Sequence, residues 1–195
     1  MHDYIRRLSE EGYLLPDPPR PVASYSPCVR VGNLVYVSGQ LPMTGGELLV
    51  RGLCPQPVTV QQAQEGAVQC LLNGLAILGQ ELNGDWDRLK RVVRLGVFVQ
   101  SADDFHDQPL VANGASDLCV EVFGDVGRHA RAAVGVNALP LDATVEVEFL
   151  FEIHPEEPRE VEAVTASEAV PATHESMDIV AAVQGTSVSP PAALR

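Results

Sequence analysis

The spacing of apolar residues along the chain predicts five β-strands. Two β-branched runs separated by Gly32-Asn33 are typical of a β-hairpin, with strands expected at about residues 28–31 and 34–39. Residues 92–99 alternate with Val93, Leu95, Val97 and Val99 on one side, and residues 144–153 alternate more strictly. A small-residue apolar run ending at Val136 is interpreted as a further strand, so the pattern gives five strands with the hairpin counted as two.

Two segments have the longer period of an amphipathic helix. Thr59 and Gln62 fit a capping box, and small and apolar residues follow at helical spacing as far as Asn83-Gly84. A second helix is expected from about Pro109 to Val122, with these side chains facing inward: Leu110, Ala115, Leu118, Cys119 and Val122.

The two ends of the chain differ from the centre in composition. Residues 1–22 combine a short helix carrying Ile5 and Leu8 with a proline-rich arm, since Pro16, Pro18, Pro19 and Pro21 exclude regular structure. Residues 154–195 are rich in Pro, Ala, Val, Glu and Ser, which predicts a disordered acidic tail. The folded domain is therefore expected at residues 23–153.

The order of elements is strand, strand, helix, strand, helix, strand, strand. This order predicts an α+β fold, a mixed sheet with two helices on one face, because each helix has a single apolar stripe that must be buried on the sheet. The alternation places Val92 and Phe98 on the opposite face, so self-association is expected there.

Composition excludes several classes of partner. The chain has 195 residues, of which 46% are hydrophobic, and a formal net charge of −13, which disfavours binding to nucleic acid or to anionic membranes. It shows no signal peptide and no membrane span, so a cytoplasmic protein is expected. The four scattered cysteines have no metal-site spacing and are expected to be reduced and structural.

The candidate chemistry lies between residues 127 and 153. A basic cluster around Arg128 and Arg131 runs into the small-residue strand, and the next strand carries Glu146, Glu148 and Glu152 on one face. This arrangement is typical of an anion pocket. Three carboxylates on one face repel one another, so at least one needs a cationic partner or solvent.

Two other groups have a functional and a simpler interpretation. Asp103 and Asp104 resemble a metal pair, but only His106 stands near them, which favours a capped turn. Arg94 is either functional or a solvated or interface residue. Gly39 either ends its strand or lets backbone amides approach a ligand.

Several motifs, in a fixed order, carry a resemblance to a known family. They are Tyr25-Ser26-Pro27, Val31-Gly32-Asn33-Leu34-Val35-Tyr36-Val37-Ser38-Gly39-Gln40-Leu41-Pro42, Ala130-Arg131, Val134-Gly135-Val136, Leu139-Pro140 and Val145-Glu146-Val147-Glu148. Together they resemble the RidA/YjgF reactive-intermediate deaminase family over roughly residues 23–153. The resemblance implies a chorismate-mutase-like fold, a homotrimer with clefts between subunits, hydrolysis of enamines and imines such as 2-aminoacrylate to 2-oxo acids and ammonia, and no metal or organic cofactor.

The resemblance also implies site residues. Arg131 corresponds to the substrate-binding arginine and Glu146 to the water-positioning glutamate of the family, and these two are the catalytic candidates. The substrate-binding candidates are Tyr25, Ser38, Gly39, Arg131 and Ala133. A small carboxylate-bearing molecule is the expected substrate.

The chain departs from the well-known deaminating members at two places. Those members typically have cysteine two residues after the arginine, where this chain has Ala133, and residues 113–116 and 127–129 resemble a less characterised branch. His129 and Asn113 are accordingly candidate branch-specific cleft residues, with a surface histidine and a helix-face asparagine as the simpler interpretation. Two hypotheses therefore stay open: an imine deaminase that uses Arg131 with Glu146, or a non-catalytic trimer that binds small carboxylates or a partner protein.

Overall fold

A five-stranded mixed sheet forms the centre of the protein. The structure is a computed structural model and describes residues 3–19 and 24–155. The strands are β1 (Cys28–Val31), β2 (Leu34–Gln40), β5 (Leu89–Gln100), β6 (Ala130–Val136) and β7 (Val145–Ile153). They lie in the order β1-β2-β7-β5-β6, with the β5–β6 pair parallel and the other pairs antiparallel. The predicted α+β fold with a mixed sheet is confirmed.

Both long helices cover one face of this sheet, as predicted. Helix α2 (Val60–Glu81) packs on β2 and β7, and α3 (Gln108–Phe123) packs on β5 and β6. The capping box forms, with Thr59 Oγ1 accepting from the Gln62 amide at 3.2 Å and Gln62 Oε1 accepting from the Thr59 amide at 3.0 Å. The alternating residues Val145, Val147, Phe149, Phe151 and Ile153 form the floor beneath the helices and are almost completely buried.

A β-bulge in β5 corrects the predicted facing of Val92. Val92 pairs with Phe151 and Arg94 pairs with Leu150, so the register shifts by one residue at Val93. Val92 is consequently 0% exposed, in the core on the helix side and not on the open face, while Val93 is only half-buried. Phe98 does lie on the open face, where it pairs with Glu146.

The sequence pattern missed a short hairpin and misplaced two helix residues. Strands β3 (Met43–Thr44) and β4 (Glu47–Leu48) pair around Gly45 and Gly46, where only a loop was expected. In α3, Leu110 is exposed and Val111 is buried in its place. One residue of error in phase at the start of a helix turns a side chain by about 100°.

Helix α1 (Tyr4–Glu10) packs against the outer side of α3. Its anchors are Tyr4, whose ring meets Phe123 edge-on at 4.9 Å, and Leu8, whereas the expected anchor Ile5 is exposed. Part of the predicted proline arm, residues 20–23, lies outside the described residues, and so does the predicted tail from residue 156 onward.

Two further expectations concern the thiols and the membrane. All four cysteines are free, and Cys54, Cys70 and Cys119 are buried. Within residues 3–19 and 24–155, no helix has both the length and the apolar character needed to cross a bilayer.

Candidate functional site

Gly39 and Glu146 are in direct contact on the open face of the sheet. Their strands, β2 and β7, are neighbours, and the register shifts between Val37 and Gln40. A β-carbon built on Gly39 would lie 1.8 Å from Oε1 and 2.8 Å from Cδ of Glu146. Only glycine therefore leaves room for the carboxylate in this position, and Gly39 lies within β2, one residue before its end at Gln40.

The carboxylate of Glu146 differs in its ionic contacts from those of Glu148 and Glu152, which lie on the same face of β7. Arg94 Nη1 lies 2.6 Å from Glu148 Oε1, and Lys90 Nζ lies 2.7 Å from Glu152 Oε1, so both of these carboxylates have the predicted cationic partner. Among the described residues Glu146 has none. Burial raises the pKa of Glu146, and the negative charge of Glu148 raises it further. A carboxyl group with a raised pKa holds an accepted proton more readily than an ordinary carboxylate does, which suits it to accept a proton and return it.

Ser38 connects the segment before β1 to this part of the open face. Its hydroxyl donates to the carbonyl of Ser26 at 2.9 Å, and its amide donates to the carbonyl of Pro27 at 3.0 Å. These bonds hold the chain beside Tyr25, whose side chain is about half exposed at 47%. Ser38, Gly39 and Glu146 thus belong to one side of the sheet, and Tyr25 is the chain neighbour of the residue that Ser38 binds.

An open concavity of about 430 Å³ lies on the same face, beside Ser38. Its lining residues are Val29, Tyr36, Ser38, Arg94, Glu148 and Leu150. Arg94 is therefore tied to Glu148 in the wall of this concavity, as an exposed pair worth about 0–1 kcal/mol.

Arg131 is held by helix α3. It lies on β6 in register with Leu95 of β5, a residue that faces the helices. Its Nη1 donates to Asn113 Oδ1 at 2.9 Å and to Ser116 Oγ at 3.0 Å, and its Nη2 lies 3.4 Å from the carbonyl oxygen of Pro109. The guanidinium is still exposed, so an anion can reach it.

The two candidate branch-specific residues both belong to this arginine cluster. Asn113 contacts Arg131 directly, and His129 lies 3.0 Å from Ser116 through Nε2 and 2.6 Å from the Gly127 carbonyl through Nδ1. Ser116 was not among the candidates. The signal that could have found it is its spacing, because residues three apart lie on the same face of a helix and Asn113 precedes it by three.

Two residues near the strands have supporting positions. Ala133 lies on the same side of β6 as Arg131, pairs with Val97, and packs its methyl group against the core. Gln100, also missed by the sequence pattern, is 5% exposed and binds the turn between β6 and β7: its Nε2 donates to Asp142 Oδ1 at 2.5 Å and its Oε1 accepts from the Leu139 amide at 2.8 Å.

The described chain does not bring Arg131 and Glu146 together. Arg131 extends toward α3 on the covered face, whereas Glu146 alternates with the buried Val145 and Val147 and so points to the open face. The described residues therefore form two separate groups, an arginine cluster at the edge strand β6 and a carboxylate beside Gly39. No group of three or more side chains of the metal-ligating types His, Cys, Asp and Glu is gathered within the described residues.

Comparisons with known proteins identify similar sequences and a similar fold. A family model described as Endoribonuclease L-PSP matches residues 16–153. Protein TCP17 of Trypanosoma cruzi is 45% identical over 148 residues, which cover 75% of this chain and 92% of that protein. A 2-iminobutanoate/2-iminopropanoate deaminase of Dermatophagoides farinae is 31% identical over 135 residues, covering 69% and 90%. The crystal structure of the protein Atu1372 from Agrobacterium tumefaciens matches with a TM-score of 0.74 and 46% identity, covering 77% of this chain and 92% of that one.

Proposed function

Since the chain belongs to the endoribonuclease L-PSP family, which is the RidA/YjgF family, we propose that it hydrolyses reactive enamine and imine intermediates to 2-oxo acids and ammonia. The proposal rests on two groups that could each supply half of an active site. One is the accessible Arg131, held by three hydrogen bonds, and the other is the half-buried carboxyl group of Glu146, which has a raised pKa and no cation beside it among the described residues. The deaminase of Dermatophagoides farinae supports the reaction class.

In this proposal Arg131 binds the substrate carboxylate. A charge-assisted bond of this kind contributes about 1.5–3 kcal/mol, and a planar guanidinium can make two of them in parallel. The bond to Arg131 then holds the substrate's imine carbon at a fixed distance from the edge strand β6. In the proposed cleft, Tyr25, Ser38 and the backbone at Gly39 and Ala133 complete the contacts to the substrate.

Glu146 is the general base and general acid for the attacking water in this proposal. An enamine first takes a proton on carbon and becomes the imine, whose carbon is electrophilic. Water adds to that carbon of the protonated imine and gives a proton to Glu146, which leaves the neutral carbinolamine. Glu146 then returns this proton to nitrogen as the C–N bond breaks, and the hydroxyl proton leaves to solvent as the carbonyl forms. The products are the 2-oxo acid and ammonia, and no cofactor is needed for the balance of atoms or electrons.

We further propose that the working unit is a homotrimer whose clefts join the two half-sites of neighbouring subunits. Arg131 and Glu146 lie on opposite faces of one sheet, so a common cleft requires a second copy. The open face also exposes apolar side chains that subunit association would cover: Val29, Val31, Tyr36 and Val134.

The test of the reaction is an assay on 2-aminoacrylate generated from serine by a dehydratase, with semicarbazide as a competing trap. Arg131→Ala is expected to lower kcat/KM about 10- to 100-fold, as the loss of one charge-assisted contact implies. Arg128→Ala is the matched control, because Arg128 is exposed three residues away and pairs only with Asp125 among the described residues. Equal rates for wild type, Arg131→Ala and buffer would refute the deaminase proposal.

The test of the shared cleft is complementation. Arg131→Ala and Glu146→Gln chains are each expected to keep at most about one tenth of wild-type activity. Subunits mixed by co-expression in equal amounts are expected to recover about one quarter of wild-type activity, since one cleft in four then has both residues. No recovery in mixed trimers, or a particle of 20.9 kDa in size exclusion with light scattering, would refute the trimer with shared clefts.

A non-catalytic binder of small carboxylates, or of a partner protein, is the second candidate. It is favoured by Ala133, which stands where the well-known deaminating members have cysteine. Isothermal titration with a 2-oxo acid separates the two, because a binder would lose affinity in Arg131→Ala while showing no turnover in the wild type.

Cleavage of RNA, which the family description names, is not part of the proposal. The net charge of −13 opposes association with a polyanion, and the arginine cluster offers one guanidinium flanked by neutral side chains.

A further inference from the structure

A chain of hydrogen bonds runs from the turn before β6 to the guanidinium of Arg131. It starts at the carbonyl of Gly127, which lies 2.6 Å from His129 Nδ1. Because a carbonyl only accepts, this contact assigns the imidazole proton to Nδ1, and Nε2 of the neutral ring is then an acceptor. Nε2 lies 3.0 Å from Ser116 Oγ, so the serine hydroxyl donates to the histidine.

This assignment determines how Ser116 meets Arg131. A hydroxyl has one proton and two lone pairs, and with its proton directed to His129 it presents lone pairs to Nη1 of Arg131 at 3.0 Å. Asn113 Oδ1 takes the other Nη1 hydrogen at 2.9 Å. Both hydrogens of Nη1 are therefore held by one rigid helix.

The opposite edge of the guanidinium is left for a ligand. The Pro109 carbonyl, at 3.4 Å from Nη2, is a long contact, and no acceptor within the described residues contacts Nε. The Nε and Nη2 hydrogens point the same way and match the two oxygens of a carboxylate. Holding Nη1 thus presents the bidentate edge in one orientation.

The surroundings of His129 favour the neutral ring that this chain requires. Burial lowers the pKa of His129, the bond to Gly127 opposes the shift, and the positive charge of Arg131 adds to it. From α3 the ring meets the neutral Ser116 and from the turn a neutral carbonyl, so the charged group that faces it is Arg131.

We propose that Ser116, oriented by neutral His129, is a positioning residue that holds Arg131 in the conformation that binds a carboxylate. The inference rests on the proposed function only in taking a carboxylate as the ligand of Arg131. It adds Ser116 to the site and gives the candidate His129 a role as its orienting partner; both act through the arginine and do not touch the reacting atoms.

The first test is kinetic. Ser116→Ala is expected to raise KM for the imine about 3- to 10-fold with kcat unchanged, because carboxylate binding is the same in the ground state and the transition state. Ser116→Thr keeps the hydroxyl and is expected to have the wild-type KM. Asp117→Ala changes an exposed neighbour on α3 and is the control for changes in the helix. A fall in kcat with KM unchanged, or equal effects of the Ala and Thr variants, would overturn the proposal.

The second test examines the relay itself. His129→Leu removes the acceptor and is expected to reproduce the Ser116→Ala effect, and the double variant is expected to be no worse than either single variant, since both break one chain. His129→Gln retains a side-chain acceptor and is expected to be milder than His129→Leu. Additive effects of the two single variants would show that Ser116 and His129 act separately.

A third measurement does not depend on turnover. Side-chain ¹⁵N spectra are expected to show slow rotation about the Nε–Cζ bond of Arg131 in the wild type and fast rotation in Ser116→Ala, with unchanged melting temperature. Fast rotation in the wild type would overturn the positioning role even in an active enzyme. Slow rotation in a protein with no deaminase activity would refute the proposed function alone.

Discussion

Gly39→Ala tests the contact on which the role of Glu146 depends. The built β-carbon lies 1.8 Å from Oε1 of Glu146, whereas ordinary van der Waals contact begins at 3.4 Å. The carboxylate oxygen must therefore move by about 1.5 Å. Misplacement of a reacting group by about 1 Å can lower a rate on the order of 100-fold, so we expect kcat to fall by about that factor.

The same substitution is expected to have a small effect on stability. The atom that the new methyl group meets first is the end of a flexible side chain, so overpacking costs about 1 kcal/mol, near the lower limit for such changes. Replacing glycine also reduces the entropy of the unfolded chain, which contributes about 0.4–1 kcal/mol in the other direction. The net change in the free energy of unfolding is therefore expected to be below about 1 kcal/mol.

Gly96→Ala is the matched control. A β-carbon there would lie 2.5 Å from Oε1 of Glu148, a comparable collision with a glutamate on the same strand and face. Glu148 does not touch the reacting atoms in the proposed reaction and acts only through its charge on the pKa of Glu146, so turnover of 2-aminoacrylate is expected to fall much less than in Gly39→Ala. Wild-type kcat in Gly39→Ala, or equal losses in the two glycine variants, would refute the reasoning.

Three further predictions concern stability, measured by urea denaturation. The pKa of Glu146 is raised in the folded protein, so the contribution of this carboxyl group to the free energy of unfolding is present below its unfolded pKa of about 4.3 and is lost as pH rises through the folded pKa. Glu146→Gln is therefore expected to gain stability relative to wild type from pH 4 to pH 7. A stability difference that stays constant over this range would contradict the prediction. Val92→Ala is expected to cost about 2 kcal/mol because its side chain is fully buried, and Val93→Ala less than about 1 kcal/mol; equal costs would argue against the bulge. Thr59→Ala is expected to cost about 1 kcal/mol by removing the cap of α2, and an unchanged urea midpoint would count against the capping box.

Local signals accounted for most of the elements. The Gly32-Asn33 turn, the capping box at Thr59 and the strict alternation of β7 each depend on residues close together in the chain, and each formed as expected. The bulge at Val93 could not be predicted from the local sequence, because an extra residue is recognised only by its pairing with the partner strand β7, more than fifty positions away. The exposed Leu110 shows the same limit at a helix start.

The candidate residues, but not their contacts, could be named for the same reason. Arg131, Glu146, Ser38 and Gly39 were identified as residue types in motifs, and the structure places Gly39 against Glu146. Asn113 and His129 were candidates without partners, and it was the packing of α3 on β6 that joined them through Ser116 to Arg131. Spacing on one helix could suggest Ser116, but its partner lies on another element.

The sequence by itself determined the two long helices and the five strands of the main sheet, because hydrophobic period, caps and turns are properties of neighbouring residues, and its motifs named the candidate side chains. Only the tertiary structure decided that Arg131 and Glu146, fifteen positions apart, face opposite sides of one sheet. The reason is that the side of a strand on which a residue lies depends on register, bulges and the position of the covering helices, which are set by contacts between distant segments.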